Sequence, residues 1–219
     1  DRTQGYARVA EISSGGIVPH EILRLPDGTF AVANGGIRTH PARGRDKLNL
    51  DTMQSNLTVL SQAGDILDKA EVGLRLNSLR HIAVQPDGTI ACGLQWQGDP
   101  FETPWLLAVY QGKGALQVVE MEEPMLRSLS GYIGSVAPFG AHEFAASSPR
   151  GGRALVFSAS KGVTMTKQAA DVCGLAQLPG GGTLVTDGSG HVYRLSATGL
   201  TGLQRHDIAF DNHLVAVAG

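Results

Sequence analysis

Two stretches of this chain match position for position. His20-Glu-Ile-Leu-Arg-Leu-Pro26-Asp27-Gly28-Thr29-Phe-Ala-Val32 aligns with Arg80-His-Ile-Ala-Val-Gln-Pro86-Asp87-Gly88-Thr89-Ile-Ala-Cys92. A repeated supersecondary unit constrains the fold more than any isolated motif. In each copy Pro presets φ, Asp favours a turn and Gly supplies a permissive backbone, while the flanks alternate and carry β-branched residues. The unit therefore reads strand, tight turn, strand. Weaker copies follow at 134–139 with 144–146, at 173–179 with 183–185, and at 206–210 with 214–217.

The copies begin at 20, 80, 134, 173 and 206, at intervals of 60, 54, 39 and 33 residues. These intervals bracket the ~40–50 residues of a propeller blade. Further strand pairs lie between them, at 56–60 with 66–67, 105–110 with 116–119, 153–157 with 163–165, and 191–195 with 202–203. Four strands per unit predict an all-β fold, a β-propeller of four-stranded antiparallel blades in one domain over 1–219. The complete blades fall at 18–75, 78–127, 131–168 and 171–204. A β-sandwich is the alternative, and the recurring hairpin favours the propeller. Helical periodicity is absent apart from a turn near 122–129.

Partial blades remain at 1–13, with a lone strand at 6–12, and at 205–219, with a hairpin at 208–217. Joined, they supply three strands, one short of a closing blade. The expectation is that about two further blades precede Asp1, in a ring of roughly seven blades at ~45 residues each. Asp1 is not an initiator methionine, and no charged leader with an apolar run follows it.

Composition narrows the function classes. Glycine makes up 29 of 219 residues, well above the usual share, as turn-rich architecture requires. A formal charge of −2 gives no reason to expect nucleic acid or an anionic membrane surface as partner. No apolar run approaches the ~18–20 residues of a membrane span. Cys92 and Cys173 sit in apolar, strand-like runs and are expected to be buried, unpaired thiols.

Loops alternate between the two faces of a propeller, so the loop entering each inner strand shares a face with the loop joining second and third strands. That face collects the chemically distinctive residues: His20, Arg38, His40, Arg80, His81, Gln97, Asp99, Tyr132, Arg150 and His206. A funnel lined by His and Arg suits an anion or acidic ligand, or a metal when the imidazoles are neutral. The same residues also fit structural roles. A His or Arg at the start of an inner strand can satisfy neighbouring carbonyls, Gln97 and Asp99 can cap a loop, and Arg150 can occupy a surface turn. The loop from 34 to 56 exceeds the ~12–15 residues at which loops become functional or disordered, and can serve as a solvated flap. His20 and Glu21 are not expected to form a base–orienter pair, because successive strand residues point to opposite faces. Cys-x-x-Cys, His-Glu-x-x-His, Walker and Gly-x-Ser-x-Gly motifs are missing, so no catalytic residue is assigned.

Several strings carry a family resemblance: Gly-Ile-Val-Pro-His-Glu at 16–21, Val-Ala-Asn-Gly-Gly-Ile-Arg-Thr-His-Pro at 32–41, Lys-Leu-Asn-Leu-Asp-Thr-Met at 47–53, Arg80-His81, Gln-Trp-Gln-Gly-Asp-Pro at 95–100, Gly-Tyr-Ile-Gly-Ser at 131–135, Ser-Pro-Arg-Gly-Gly at 148–152, and Asp-Val-Cys-Gly at 171–174. In these the chain resembles the bacterial exported domain-of-unknown-function family 1513. The resemblance implies a seven-bladed propeller like that of the quinoprotein amine dehydrogenase group. It also implies a twin-arginine export signal in the parent protein, a periplasmic location, and genes set beside imelysin-type and di-haem oxidoreductase-like proteins of iron acquisition. It transfers no catalytic role and names no cofactor. The function expected is a non-enzymatic periplasmic binding or interaction propeller, whose mouth engages a small anionic ligand, a metal complex or a periplasmic protein partner. The alternatives are a metal-dependent propeller enzyme of lactonase or dehydrogenase type, for which this mouth is richer in His and Arg than in acids, and a purely structural scaffold.

Overall fold

The computed structural model describes residues 2–44, 46–178 and 182–216. Over these residues the chain forms four four-stranded antiparallel sheets, each running through its strands in sequence order. The first sheet holds β1 (Pro19–Arg24), β2 (Phe30–Asn34), β3 (Asn56–Leu60) and β4 (Ile66–Glu71). The second holds β5 (Asn77–Val84), β6 (Ile90–Trp96), β7 (Leu107–Tyr110) and β8 (Gln117–Val118). The third comprises β9 (Ser135–Phe139), β10 (Glu143–Ser148), β11 (Arg153–Ser158) and β12 (Gly162–Gln168). The fourth comprises β13 (Val172–Gln177), β14 (Thr183–Asp187), β15 (His191–Ser196) and β16 (Gly199–Arg205).

The repeated turn closes both of its copies with the same bonds. Asp27 Oδ1 accepts from the Thr29 amide at 3.0 Å and Asp87 Oδ1 from the Thr89 amide at 2.9 Å. Behind them Leu25 N–H donates to Thr29 O at 2.8 Å and Gln85 N–H to Thr89 O at 2.9 Å. Gly28 and Gly88 take φ of 88° and 86°, values open to glycine at little cost. Local chemistry thus sets the register of β1–β2 and β5–β6.

First strands of neighbouring sheets lie side by side, β1 by β5, β5 by β9 and β9 by β13. The sheets stack face to face, so most strands are covered on both sides and read as nearly continuous apolar runs. Ala33, Leu57, Leu79, Ile82, Ile90 and Leu94 fill the first gap. Leu129, Ile133, Phe144, Leu155 and Phe157 fill the second, and Val156, Val172, Leu175, Val185 and Leu195 the third. Full burial of side chains of this size contributes ~1.5–3 kcal/mol each, which holds the sheets to one another.

Both terminal strand expectations need correction. Residues 6–12 form no strand, and Tyr6 and Val9 are exposed. The hairpin expected at 208–217 is also absent over its described part, and Val217 lies outside the described residues. Residues 206–216 instead cross the inner strands, forming one parallel bridge from His213 to Leu175. Gly174 admits this crossing, since a Cβ there would stand 3.0 Å from both Asp211 O and Leu214 Cβ. A short helix, α1 (Glu123–Ser128), forms where the turn of helix was expected. No helix among the described residues is long and apolar enough to cross a membrane.

Candidate functional site

The inner strands share an irregularity that shapes the site. Register shifts fall between Pro19 and Glu21 in β1, between Leu79 and His81 in β5, and between Val172 and Leu175 in β13. Such a shift breaks strict alternation and re-aims side chains. At the first two sites the shifted residues are His20 and Arg80, equivalent positions of the sequence repeat. Two hydroxyl contacts fix β5 against the first sheet here: Ser55 Oγ accepts from Leu79 N–H at 2.7 Å, and Ser78 Oγ donates to Gly35 O at 2.7 Å.

Three histidines meet at this point. The rings of His20 and His81 lie 5.2 Å apart in an edge-to-face arrangement, and His213 stands 5.8 Å from His20 and 5.0 Å from His81. One ring nitrogen from each falls within 4.8 Å of the others. Nitrogens of a tetrahedral zinc site stand about 3.3 Å apart, from Zn–N near 2.0–2.1 Å, so the set is more open than an occupied site and has to contract onto an ion. His81 is 2% exposed, and its Nε2 is buried without a partner. An unmatched buried nitrogen costs about 1–3 kcal/mol, a debt that a ligand removes.

Electrostatics keep His20 and His81 neutral. Burial, with help from Arg80 and the other two histidines, lowers the His20 pKa to about 4. Burial also lowers His81, while the Glu21 carboxylate opposes that shift. At neutral pH both rings are unprotonated imidazoles, the form that ligates metals. Glu21 crosses from β1 to accept the Ile82 N–H at 3.0 Å, and its Oε2 lies 3.6 Å from His81 Nδ1. Arg80 Nη1 lies 3.2 Å from His20 Nδ1, and Arg80 Nε is buried without a partner. Burial lowers the Arg80 pKa as well.

The ten residues expected at one mouth divide into groups. His20, Arg80 and His81 come together. Tyr132 and Arg150 form a second pair, with the guanidinium 4.4 Å from the ring centroid. Tyr132 Oη also accepts from Asn212 Nδ2 at 3.0 Å, which ties the C-terminal segment down beside His213. Gln97 and Arg150 line a small cavity of about 180 Å³ with Lys47 and Trp96. Gln97 donates to Gln95 O at 2.9 Å, and Asp99 Oδ1 accepts from the Phe101 amide at 2.9 Å, so both close their own loop. His40 is exposed and caps a turn, its Nδ1 accepting from Ala42 N–H at 3.2 Å. Arg38 is exposed, with its backbone held by Asn49. His206 is exposed and packs edge-on against Phe210. Sequence reasoning missed His213, Asn212 and Glu21 as parts of the site. The first two arrive on the crossing segment, and the register shift turns Glu21 towards His81.

Four-stranded antiparallel sheets whose first strands lie side by side define a propeller-type fold, and its histidine cluster joins His20 of β1 and His81 of β5 to His213 of the crossing segment. The chain belongs to the family described as a protein of unknown function, DUF1513, whose model matches residues 1–217. Solved structures agree on the fold. Virginiamycin B lyase from Staphylococcus aureus superposes with a TM-score of 0.62 at 10% identity, over 84% of this chain and 54% of that one. A protein of unknown function from Bacteroides caccae gives 0.55 at 10% identity, over 85% and 59%. The RRP9 WD40 repeats give 0.60 at 13% identity, over 87% and 52%. The chain therefore spans between half and three-fifths of the length of these structures. No curated protein matches it.

Proposed function

We propose that this chain is a binding propeller that holds a divalent transition-metal ion through His20, His81 and His213. The observation that carries the reading is the buried, partnerless Nε2 of His81 beside two further imidazoles whose ligand atoms lie within 4.8 Å. Imidazole donors suit zinc, copper, iron and nickel, and three of them leave a position open for an exogenous ligand. The periplasmic location and the place beside iron uptake that the family resemblance implies are part of this proposal, with ferrous iron the relevant ion in that setting. A metal complex or a small anion at the same mouth fits the reading.

The test is calorimetric titration of Co²⁺, Zn²⁺ and Fe²⁺ into chelator-stripped protein. One equivalent is expected to bind, and His81→Asn to abolish that binding. Absence of binding, or an unaltered His81→Asn isotherm, overturns the reading. Recovery of the parent protein in an osmotic-shock fraction tests the location. The three-imidazole set with its open position is also that of a metal-dependent enzyme, so turnover of a lactone and ester panel by the metal-loaded protein would replace binding with catalysis as the function.

A further inference from the structure

Resting on the metal site proposed above, the contact between Arg80 and His20 sets a condition on its occupancy. A guanidinium carries five N–H donors and no acceptor, so at 3.2 Å His20 Nδ1 must be the acceptor. A neutral His20 then carries its proton on Nε2. In that arrangement neither nitrogen offers a free lone pair. For Nδ1 to ligate a metal, its lone pair has to leave Arg80. For Nε2 to ligate, its proton has to move to Nδ1, which becomes a donor facing another donor. By either route the Arg80–His20 hydrogen bond breaks before His20 reaches a metal.

Once released, Arg80 has no carboxylate to turn to, and the Tyr132 hydroxyl beside it already accepts from Asn212. Its Nε is buried without a partner, and no ion pair to Arg80 forms among the described residues. Glu21, the carboxylate nearest the cluster, already accepts from Ile82 N–H and faces His81. A divalent ion beside an uncompensated guanidinium would meet like-charge repulsion in a partly desolvated site. A small anion resolves both difficulties at once. It accepts from the Arg80 fork through two oxygens, as carboxylates and other oxyanions do, and it fills the coordination position that three imidazoles leave open.

We infer that Arg80 is a gating residue that couples metal loading at His20, His81 and His213 to a small oxyanion, which draws Arg80 off His20 and bridges it to the metal. Coupling of this kind is reciprocal: the factor by which the anion tightens metal binding equals the factor by which the metal tightens anion binding.

The experiment titrates Co²⁺ into chelator-stripped protein in chloride, acetate and sulfate buffers of equal ionic strength. Blank titrations correct for complexation of the metal by the anion itself. Acetate or sulfate is expected to raise the Co²⁺ affinity by about fivefold or more, with acetate alone separating a carboxylate preference from a general oxyanion one. Arg80→Met is expected to bind Co²⁺ in chloride more tightly than wild type and to lose the anion effect. A wild-type affinity independent of anion, or an anion effect that persists in Arg80→Met, overturns the gate while leaving the metal site standing. Absence of Co²⁺ binding in every buffer overturns the metal reading itself, and the gate with it. Should Arg80→Met fail to fold, the wild-type comparison across the three buffers decides alone.

Discussion

Glu21 serves the sheet beside its own: from β1 it accepts the Ile82 N–H of β5 at 3.0 Å and sets its Oε2 3.6 Å from His81 Nδ1. At that distance the contact with His81 is electrostatic rather than a full hydrogen bond. It still favours a proton on Nδ1, and so a lone pair on Nε2, the buried nitrogen that lacks a partner. Glu21→Gln keeps an oxygen for Ile82 and removes the charge that orients the imidazole. Carboxylates behind ligating histidines typically account for 10–100-fold of metal affinity, and Glu21→Gln is expected to weaken Co²⁺ binding by about tenfold. A thermal midpoint close to wild type, measured beside the isotherm, separates this from simple unfolding. An unchanged isotherm would remove Glu21 from the site.

His213 depends on a contact one residue earlier. Asn212 Nδ2 donates to Tyr132 Oη at 3.0 Å, and the Tyr132 ring also carries Arg150 at 4.4 Å. Tyr132→Phe keeps the ring under the guanidinium and deletes only the hydroxyl. A neutral hydrogen bond is worth ~0.5–1.5 kcal/mol, so the segment over 206–216 is expected to loosen without loss of the fold. Limited proteolysis should cut that segment faster, and Co²⁺ affinity should fall severalfold. Equal cutting rates for the two proteins would show that the segment is held by other means.

The legible part of this structure is local. Pro26-Asp27-Gly28-Thr29 and its copy at 86–89 state their turns in four residues, and the bonds of Asp27 and Asp87 to the following threonines carry them out. His20, Arg80 and His81 were legible as neighbours because the repeat sets His20 and Arg80 at equivalent positions of inner strands, and inner strands lie side by side. His213 was not legible: it reaches His20 across nearly the whole chain, held by the bridge to Leu175 and by Asn212 on Tyr132, which no sequence pattern announces. Glu21 was hidden for a different reason. The alternation of strand side chains places it opposite His20, and the register shift between Pro19 and Glu21 overrides that rule. The strand expected at 6–12 has the residues for one and does not form, since β-propensity is set by context more than by sequence alone.

Cys92 and Cys173 are both buried and unpaired. Burial pushes the Cys92 thiol up to about 12, and burial also raises Cys173. The thiolate is the reactive form, so Cys92 is inert in the folded chain. Native protein at pH 8 is expected to leave Cys92 unmodified by iodoacetamide over hours, and denaturant to expose it at once. Peptide mass mapping reads the site directly, and rapid native labelling of Cys92 would contradict the packing between the first and second sheets.

Asp187 is the most densely hydrogen-bonded carboxylate described, and it gives the fold a pH dependence of known sign. Its side chain is buried at the β14–β15 turn, where Oδ1 accepts from the amides of Ser189 at 2.9 Å and His191 at 3.0 Å. Oδ2 accepts from Tyr193 Oη at 2.9 Å and lies 3.0 Å from His191 Nδ1, which donates because a carboxylate has no proton to give. Burial alone would raise the Asp187 pKa, but these donors outweigh it and leave the carboxyl below its ordinary value of 3.8. The unfolded chain therefore binds more protons than the folded one between the two values, and stability rises with pH there. The contribution is complete above the unfolded pKa and is lost as pH falls through the folded one. Hydrogen bonds to a charged group are worth ~1.5–3 kcal/mol, so Asp187→Asn should destabilise the chain by about 2 kcal/mol at pH 7. Urea unfolding at pH 7, 5 and 3 should show that gap holding at pH 5 and narrowing at pH 3, where Asp187 of the unfolded chain has taken up its proton. A gap of constant size would assign the effect to the shape of the turn rather than to the charge of Asp187.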